Sequence, residues 1–117
     1  METTQAVAAL QALAQETRLT AFRLLVEAGP EGVGAGEIAG ALDIAPPTLS
    51  FHLAALVHAG LVVSRRQGRR VIYAARFDAM DALMAFLAKS CCRGEGGCLP
   101  SFEGRVCRPA AGAPPPQ

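Results

Sequence analysis

Four cysteines carry the most distinctive chemistry of this 117-residue chain, and they lie towards its C-terminal end: Cys91, Cys92, Cys98 and Cys107. Thiolates prefer soft metals and metalloids. An adjacent pair of thiols with a third nearby suits three-coordinate arsenite better than tetrahedral zinc, which normally takes four ligands. Three glycines between Cys92 and Cys98 allow the intervening loop to fold back on itself. The spacing of the first three cysteines therefore fits a ligand that takes three thiolates.

Three other interpretations of these cysteines stay open. All four thiols, Cys107 included, would complete a tetrahedral site for zinc, cadmium or lead. The adjacent pair would also serve as a redox switch, since such thiols can oxidise. In the third interpretation, the cysteines lie in an unstructured tail and have no function.

The N-terminal part of the sequence lacks the pattern of a secretory signal or a membrane span. No basic residue precedes the apolar stretch 6–14, and no apolar run reaches the ~20 residues that span a bilayer. We therefore expect a cytoplasmic protein with reduced thiols and no membrane partner.

Positive charge is concentrated in one part of a nearly neutral chain. The net charge is only +1, yet no Asp or Glu occurs between Asp43 and Asp78. The basic residues of that window are His52, His58, Arg65, Arg66, Arg69, Arg70 and Arg76. A single-sign stretch of this kind predicts a local positive face of the type that binds nucleic acid. The alternative is an arginine-rich turn that is merely solvated.

The elements that position these residues begin with two predicted helices. Their apolar residues at helical spacing are Val7, Leu10, Leu13, Leu19, Phe22, Leu25 and Val26. Gly29 and Pro30 end the second helix. Residues 32–36 are predicted to be a loop, 37–42 a short helix and 43–45 a tight connection.

The segment 46–60 predicts the next helix. Its two leading prolines suit a first turn, where a missing backbone N–H costs nothing. Leu49, Leu53 and Leu56 fall within about 60° of one another and face the core. Two β-branched runs, 61–64 and 71–74, flank a polar turn with a glycine and predict a hairpin. The last helix has an apolar face made by Phe77, Met80, Leu83, Met84 and Leu87. The fold class is thus mainly α (α+β), a winged helix-turn-helix with about five helices and one β-hairpin wing.

The outward face of the helix at 46–60 carries no acid, and its candidate DNA-binding residues are Pro47, Thr48, Ser50, Phe51 and His52. Hydroxyls near a helix N-terminus can donate to phosphates or base edges, and a Phe can meet a thymine methyl. Arginines at a hairpin tip can reach the backbone or a minor groove, and those here are Arg65, Arg66, Arg69 and Arg70. Alternatively, Thr48 and Ser50 cap the helix start, and His52 is half-buried under the hairpin.

At these positions the chain resembles the ArsR/SmtB family of metalloregulatory repressors. Residues 47–62 are similar to the family's recognition helix, 13–19 to the start of its second helix and 66–73 to its wing. The resemblance spans about residues 6–90. It implies a homodimer held by the first and last helices, which binds an inverted repeat in double-stranded operator DNA. It also implies that a metal or metalloid releases that DNA and so derepresses resistance genes.

Two departures from the family pattern narrow the choice of inducer. Gly34 and Gly36 stand where well-known arsenic sensors of the family have a Cys pair, and no His follows His58 to build the last-helix zinc site. Some arsenic-responsive members instead carry an adjacent Cys pair and one further Cys after the last helix. That likeness implies that Cys91, Cys92 and Cys98 bind As(III), or Sb(III) as the second candidate. Cys107 is then a spare thiol.

These observations predict three segments: residues 1–90 for DNA binding and dimerisation, 91–107 for metalloid binding, and 108–117 as a disordered tail. The expected function is that of a repressor released by As(III). The nearest alternative is the same repressor responding to Cd, Pb or Zn, or to thiol oxidation. A metal-trafficking module would leave the arginine hairpin unexplained. A thiol reductase would need an oxyanion-binding loop and a Cys-x-x-Cys motif, and neither is evident around these cysteines. We therefore expect no enzyme and no catalytic cofactor.

Overall fold

The computed structural model describes residues 1–89, which form five helices and three strands. The helices are α1 (Thr3–Leu13), α2 (Glu16–Ala28), α3 (Ala35–Leu42), α4 (Pro46–His58) and α5 (Phe77–Ala88). The strands are β1 (Val33–Gly34), β2 (Val62–Gln67) and β3 (Arg70–Ala75). This element order confirms the predicted winged helix-turn-helix and its mainly α class. The predicted segments 91–107 and 108–117 lie outside the described residues.

Helix α1 packs on the rest of the chain through alanines. Ala6, Ala9 and Ala12 are buried, and α1 contacts α2, α4 and α5. The side chains at a helix contact set how closely two helices approach, so alanines keep α1 close to its neighbours. Val7 and Leu10, which belong to the apolar pattern that predicted this helix, lie outside the core and are 45% and 42% exposed.

Helices α2 and α3 lead the chain into α4. Helix α2 buries Phe22 and Leu25 as predicted, whereas Leu19 is 44% exposed. Helix α3 starts at Ala35, earlier than predicted, because the Glu37 carboxylate accepts a hydrogen bond from the Gly34 N–H at 3.3 Å and caps the first turn. The predicted tight connection to α4 is confirmed.

The sheet contains a strand that was not predicted. Strand β1 pairs antiparallel with β3, and β3 pairs antiparallel with β2. The predicted loop at 32–36 is therefore wrong in part, because two residues are too few for an alternating pattern to indicate a strand. Gly32 permits the close approach of β1 to β3. Its φ is +79°, and a Cβ there would lie 2.5 Å from the Tyr73 carbonyl oxygen.

The core lies between the helices and one end of the sheet. Met80 and Leu83 of α5 are buried as predicted, whereas Met84 and Leu87 are 37% and 56% exposed. At the start of α5, the Arg76 guanidinium donates to Asp78 at 2.8 Å and lowers the pKa of that carboxyl.

No single helix within residues 1–89 is long and apolar enough to cross a membrane. Helices α3 and α4 reach the necessary length only together, as a pair bent by 110°.

Candidate nucleic-acid interface

Helix α4 is held by one apolar face and by a defined end. Leu49, Leu53 and Leu56 are almost completely buried, which confirms the predicted inward face. At the C-terminal end the Gly60 N–H donates to the Val57 carbonyl and the Leu61 N–H to the Leu56 carbonyl, each at 3.0 Å. This bond pair is a Schellman motif, which closes the helix and directs the chain into β2. The orientation of α4 is thus fixed from both the core and its C-terminus.

The opposite side of α4 presents exposed side chains, and we call it the reading face: Pro47, Thr48, Ser50 and Phe51. The residue that caps the helix is Ala45, which makes no side-chain capping bond. The alternative in which Thr48 or Ser50 caps the helix is therefore wrong. Within residues 1–89 neither hydroxyl has a hydrogen-bond partner, so both are available to an external acceptor or donor. Phe51 is 69% exposed.

His52 is half-buried beside the reading face and contacts α2. Its Nδ1 accepts a hydrogen bond from Nε of Arg18 at 3.3 Å. With Nδ1 as the acceptor, a neutral imidazole carries its proton on Nε2, which can then act as a donor. The Phe51 ring meets the imidazole edge-on, with 5.6 Å between centroids and 69° between planes. Half-burial agrees with the prediction, but the hydrogen-bond partner belongs to α2 and not to the hairpin.

Strands β2 and β3 form the wing next to α4. Gln67 pairs with Arg70, so the turn consists of Gly68 and Arg69 alone. Gly68 has a φ of +65°, and glycine in the first position of a two-residue turn matches a type II′ hairpin. The strands extend further towards the tip than predicted. Arg65 and Arg66 therefore lie on β2, and Arg70 lies on β3.

The four wing arginines differ in their contacts. Arg65 Nη2 donates to the Glu31 carbonyl oxygen at 2.6 Å, and Arg70 forms a salt bridge with Glu37. Within the described part of the chain, Arg66 and Arg69 form no side-chain hydrogen bond or salt bridge. All four are exposed. These partners lie 34 and 33 positions away from Arg65 and Arg70, so no local pattern in the sequence indicates them.

The predicted metalloid ligands Cys91, Cys92 and Cys98, together with Cys107, lie outside the described residues. In the sequence, Cys91 comes two residues after Lys89, the C-cap of α5. No cluster of three or more metal-ligating side chains occurs within residues 1–89. The thiol site therefore stays a prediction from the sequence.

Known proteins resemble this chain over the elements just described. A family described as a helix-turn-helix domain matches residues 13–65. The HTH-type transcriptional regulator YgaV of Escherichia coli (strain K12) is 32% identical over 88 residues, which are 75% of this chain and 87% of that protein.

Two solved structures share the fold. An ArsR-like transcriptional regulator from Rhodococcus sp. RHA1 superposes with a TM-score of 0.65 at 27% identity, over 74% of this chain and 78% of the other. A homodimeric winged helix-turn-helix DNA-binding domain from Mycobacterium bovis superposes with a TM-score of 0.61 at 32% identity, over 74% of this chain and 81% of the other.

Proposed function

Because the chain belongs to the ArsR-like family of winged helix-turn-helix transcriptional regulators, we propose that it is a homodimeric repressor whose operator is released by As(III). The observation that carries the DNA-binding part is the reading face of α4 beside the wing. That face has exposed, unbonded hydroxyls and no acid, and the adjacent wing exposes arginines. Hydroxyls and arginines at a helix N-terminus and wing are the groups that bind phosphates and base edges.

Exposed apolar side chains on α1 and α5 support the dimer. Val7 and Leu10 on α1 and Met84 and Leu87 on α5 are large and at least 37% exposed, and the two helices contact each other. Large exposed apolar side chains on two neighbouring helices are what a surface covered by a second molecule would present. A second copy of this chain is the proposed partner, since the similar domain from Mycobacterium bovis is homodimeric. A twofold dimer also matches an inverted repeat in DNA.

The thiol block follows directly after α5, one of the two proposed dimer helices. Its donor set of three thiolates fits As(III), and Cys91, Cys92 and Cys98 would hold it. Gathering these thiolates would shift the end of α5 and hence the distance between the two recognition helices. That distance must match half-sites about one DNA turn apart. A coupling free energy of only ~1–3 kcal/mol would loosen DNA binding roughly 5–150-fold.

A binding titration with and without arsenite tests this function. The DNA is a duplex selected by the protein from a randomised pool, and the variants are the native chain and Cys98→Ser. We expect arsenite to release the native protein and to have little effect on Cys98→Ser. Failure of arsenite to release the native protein would overturn the inducer. Release by Cd(II), Pb(II) or Zn(II) instead would favour a four-thiol site with Cys107, and release by an oxidant would favour a redox switch.

A charge-reversal variant separates the DNA site from the thiol site. Arg66→Glu combined with Arg69→Glu should abolish DNA binding, because two exposed cations that would face phosphates become anions. Binding of arsenite, followed by loss of free thiols, should stay unchanged. A protein that only carries metal would retain its behaviour in both assays, including any weak affinity for DNA.

A further inference from the structure

Alternation of side chains along the strands places the wing arginines on different faces of the sheet. In the register of the sheet, Arg65 lies opposite Ile72, and Ile72 lies opposite Gly34 of β1. Arg70 lies two residues from Ile72 and so shares this face, whereas Arg66 follows Arg65 directly and belongs to the other face. Arg69 occupies the turn. The arginines on the Ile72 face are those that bond to the body of the protein, and the other two carry no such bond within residues 1–89.

The bonds of the first pair reach the segments on both sides of β1. Arg65 donates to Glu31, which precedes β1, and Arg70 pairs with Glu37 in the first turn of α3. Gly34 makes room for the second contact: a Cβ there would lie 2.6 Å from Arg70 Nη2 and 2.9 Å from Glu37 Oε1. The same carboxylate also accepts from the Gly34 N–H. Two guanidinium groups therefore tie the wing to the turn before β1 and to the helix after it.

Resting on the proposed DNA-binding function, we propose that the four arginines divide into two kinds. Arg66 and Arg69 bind DNA phosphates directly. Arg65 and Arg70 are positioning residues, which act on DNA binding by holding the wing at a fixed angle to α4. A wing held in place loses less freedom on binding than a loose one and so presents its free cations at lower cost.

Salt dependence distinguishes the two kinds. Each phosphate contact contributes about −0.9 to the slope of log K against log salt concentration. The variants are single Arg→Gln substitutions at the four positions, titrated with the selected duplex. Because the proposed dimer carries each substitution twice, Arg66→Gln and Arg69→Gln should each make the slope shallower by about 1.8. Arg65→Gln and Arg70→Gln should keep the native slope and lower the affinity about two- to fivefold, as expected for losing an exposed contact.

Gly34→Ala removes the Arg70 contact without changing the charge. Its methyl group would displace the guanidinium from Glu37, and the native φ of −68° is open to alanine. We expect the affinity of Arg70→Gln and the native slope. A steeper slope with tighter binding would mean that a released Arg70 reaches a phosphate, which overturns the proposal.

A double-mutant cycle tests whether the positioning residues act through Arg66 and Arg69. Arg70→Gln should cost less in a chain that already carries Arg66→Gln and Arg69→Gln, because the cations it positions are gone. Full additivity, or a slope change of about 1.8 for Arg65→Gln or Arg70→Gln, would overturn the division. If the native chain selects no duplex, the proposed function fails, and the same slopes measured on non-specific DNA still decide the division of the arginines.

Discussion

The hydroxyls of the reading face contribute little to the stability of the fold. Thr48 and Ser50 are exposed, and neither has a hydrogen-bond partner within residues 1–89. By contrast, the Thr20 hydroxyl of α2 donates to the Glu16 carbonyl at 2.9 Å, an ordinary helix contact. A polar group without an internal partner is free to serve an external one, so substitution should separate DNA binding from stability.

We expect Thr48→Ala and Ser50→Ala each to weaken binding to the selected duplex about two- to tenfold for each half-site, the loss of one neutral hydrogen bond per protomer. The free energy of unfolding should change by less than ~0.5 kcal/mol, as for surface substitutions in general. Denaturant unfolding and anisotropy titrations measure the two quantities. Thr20→Ala is the matched control and should leave DNA affinity unchanged. A stability loss of about 1 kcal/mol in Thr48→Ala would instead indicate a capping role.

For single residues, the sequence predicted which side chains are exposed better than it predicted which side chains bond to one another. The spacing of three leucines sufficed to place the reading face outside, because a regular helix determines both of its sides. The partners of Arg65, Arg70 and His52 were not predictable, since each bond joins residues at least 33 positions apart. Which residues such contacts join depends on the tertiary fold and not on local pattern.

Among the elements, β1 has the greatest structural effect for its length. It consists of two residues, yet it adds a third strand beside β3 and places Gly34 where the Arg70–Glu37 salt bridge forms. The pattern of the sequence located every helix and both long strands, since each repeats its periodicity several times. Strand β1 has no repeat to detect, and only its pairing with β3 defines it.

Gly32→Ala should destabilise the protein by more than ~1 kcal/mol, because the native φ of +79° disfavours alanine and a Cβ would clash with the Tyr73 carbonyl. Gly40→Ala in α3 is the opposite control. It has open space around a Cβ and lies within a helix, so it should stabilise by about 0.5–1 kcal/mol. Thermal or urea unfolding of the two variants measures both signs. Native stability in Gly32→Ala would show that β1 does not need the close approach.

For the whole molecule, α1 uses different residues for folding and for the proposed dimer. Ala6, Ala9 and Ala12 are buried in the protomer, whereas Val7 and Leu10 remain outside. The sequence predicted the helix from residues that include Val7 and Leu10, but hydrophobicity alone does not tell an intramolecular face from an intermolecular one. A substitution on the outer residues should therefore change assembly and leave the fold intact.

Leu10→Glu should convert the proposed dimer into a folded monomer, because a twofold interface would bury the new carboxylate twice without a partner. DNA affinity should fall with it, since the two half-sites are then bound independently. Light scattering after size-exclusion chromatography gives the mass, and circular dichroism gives the helix content. Leu19→Glu on α2 is the matched control, with 44% exposure against 42% for Leu10. A dimeric Leu10→Glu would contradict the assignment of α1 to the interface.

The alanine face of α1 has a consequence for cells that contain several related regulators. Subunits of similar proteins exchange into mixed dimers unless their interfaces differ, and a mixed dimer would read the wrong pair of half-sites. In this chain the residues that would set partner choice, such as Val7 and Leu10, are not those that hold α1 in place. After gene duplication, substitutions at these surface positions alone would allow the two copies to acquire separate partners, because such substitutions leave the stability of the protomer unchanged.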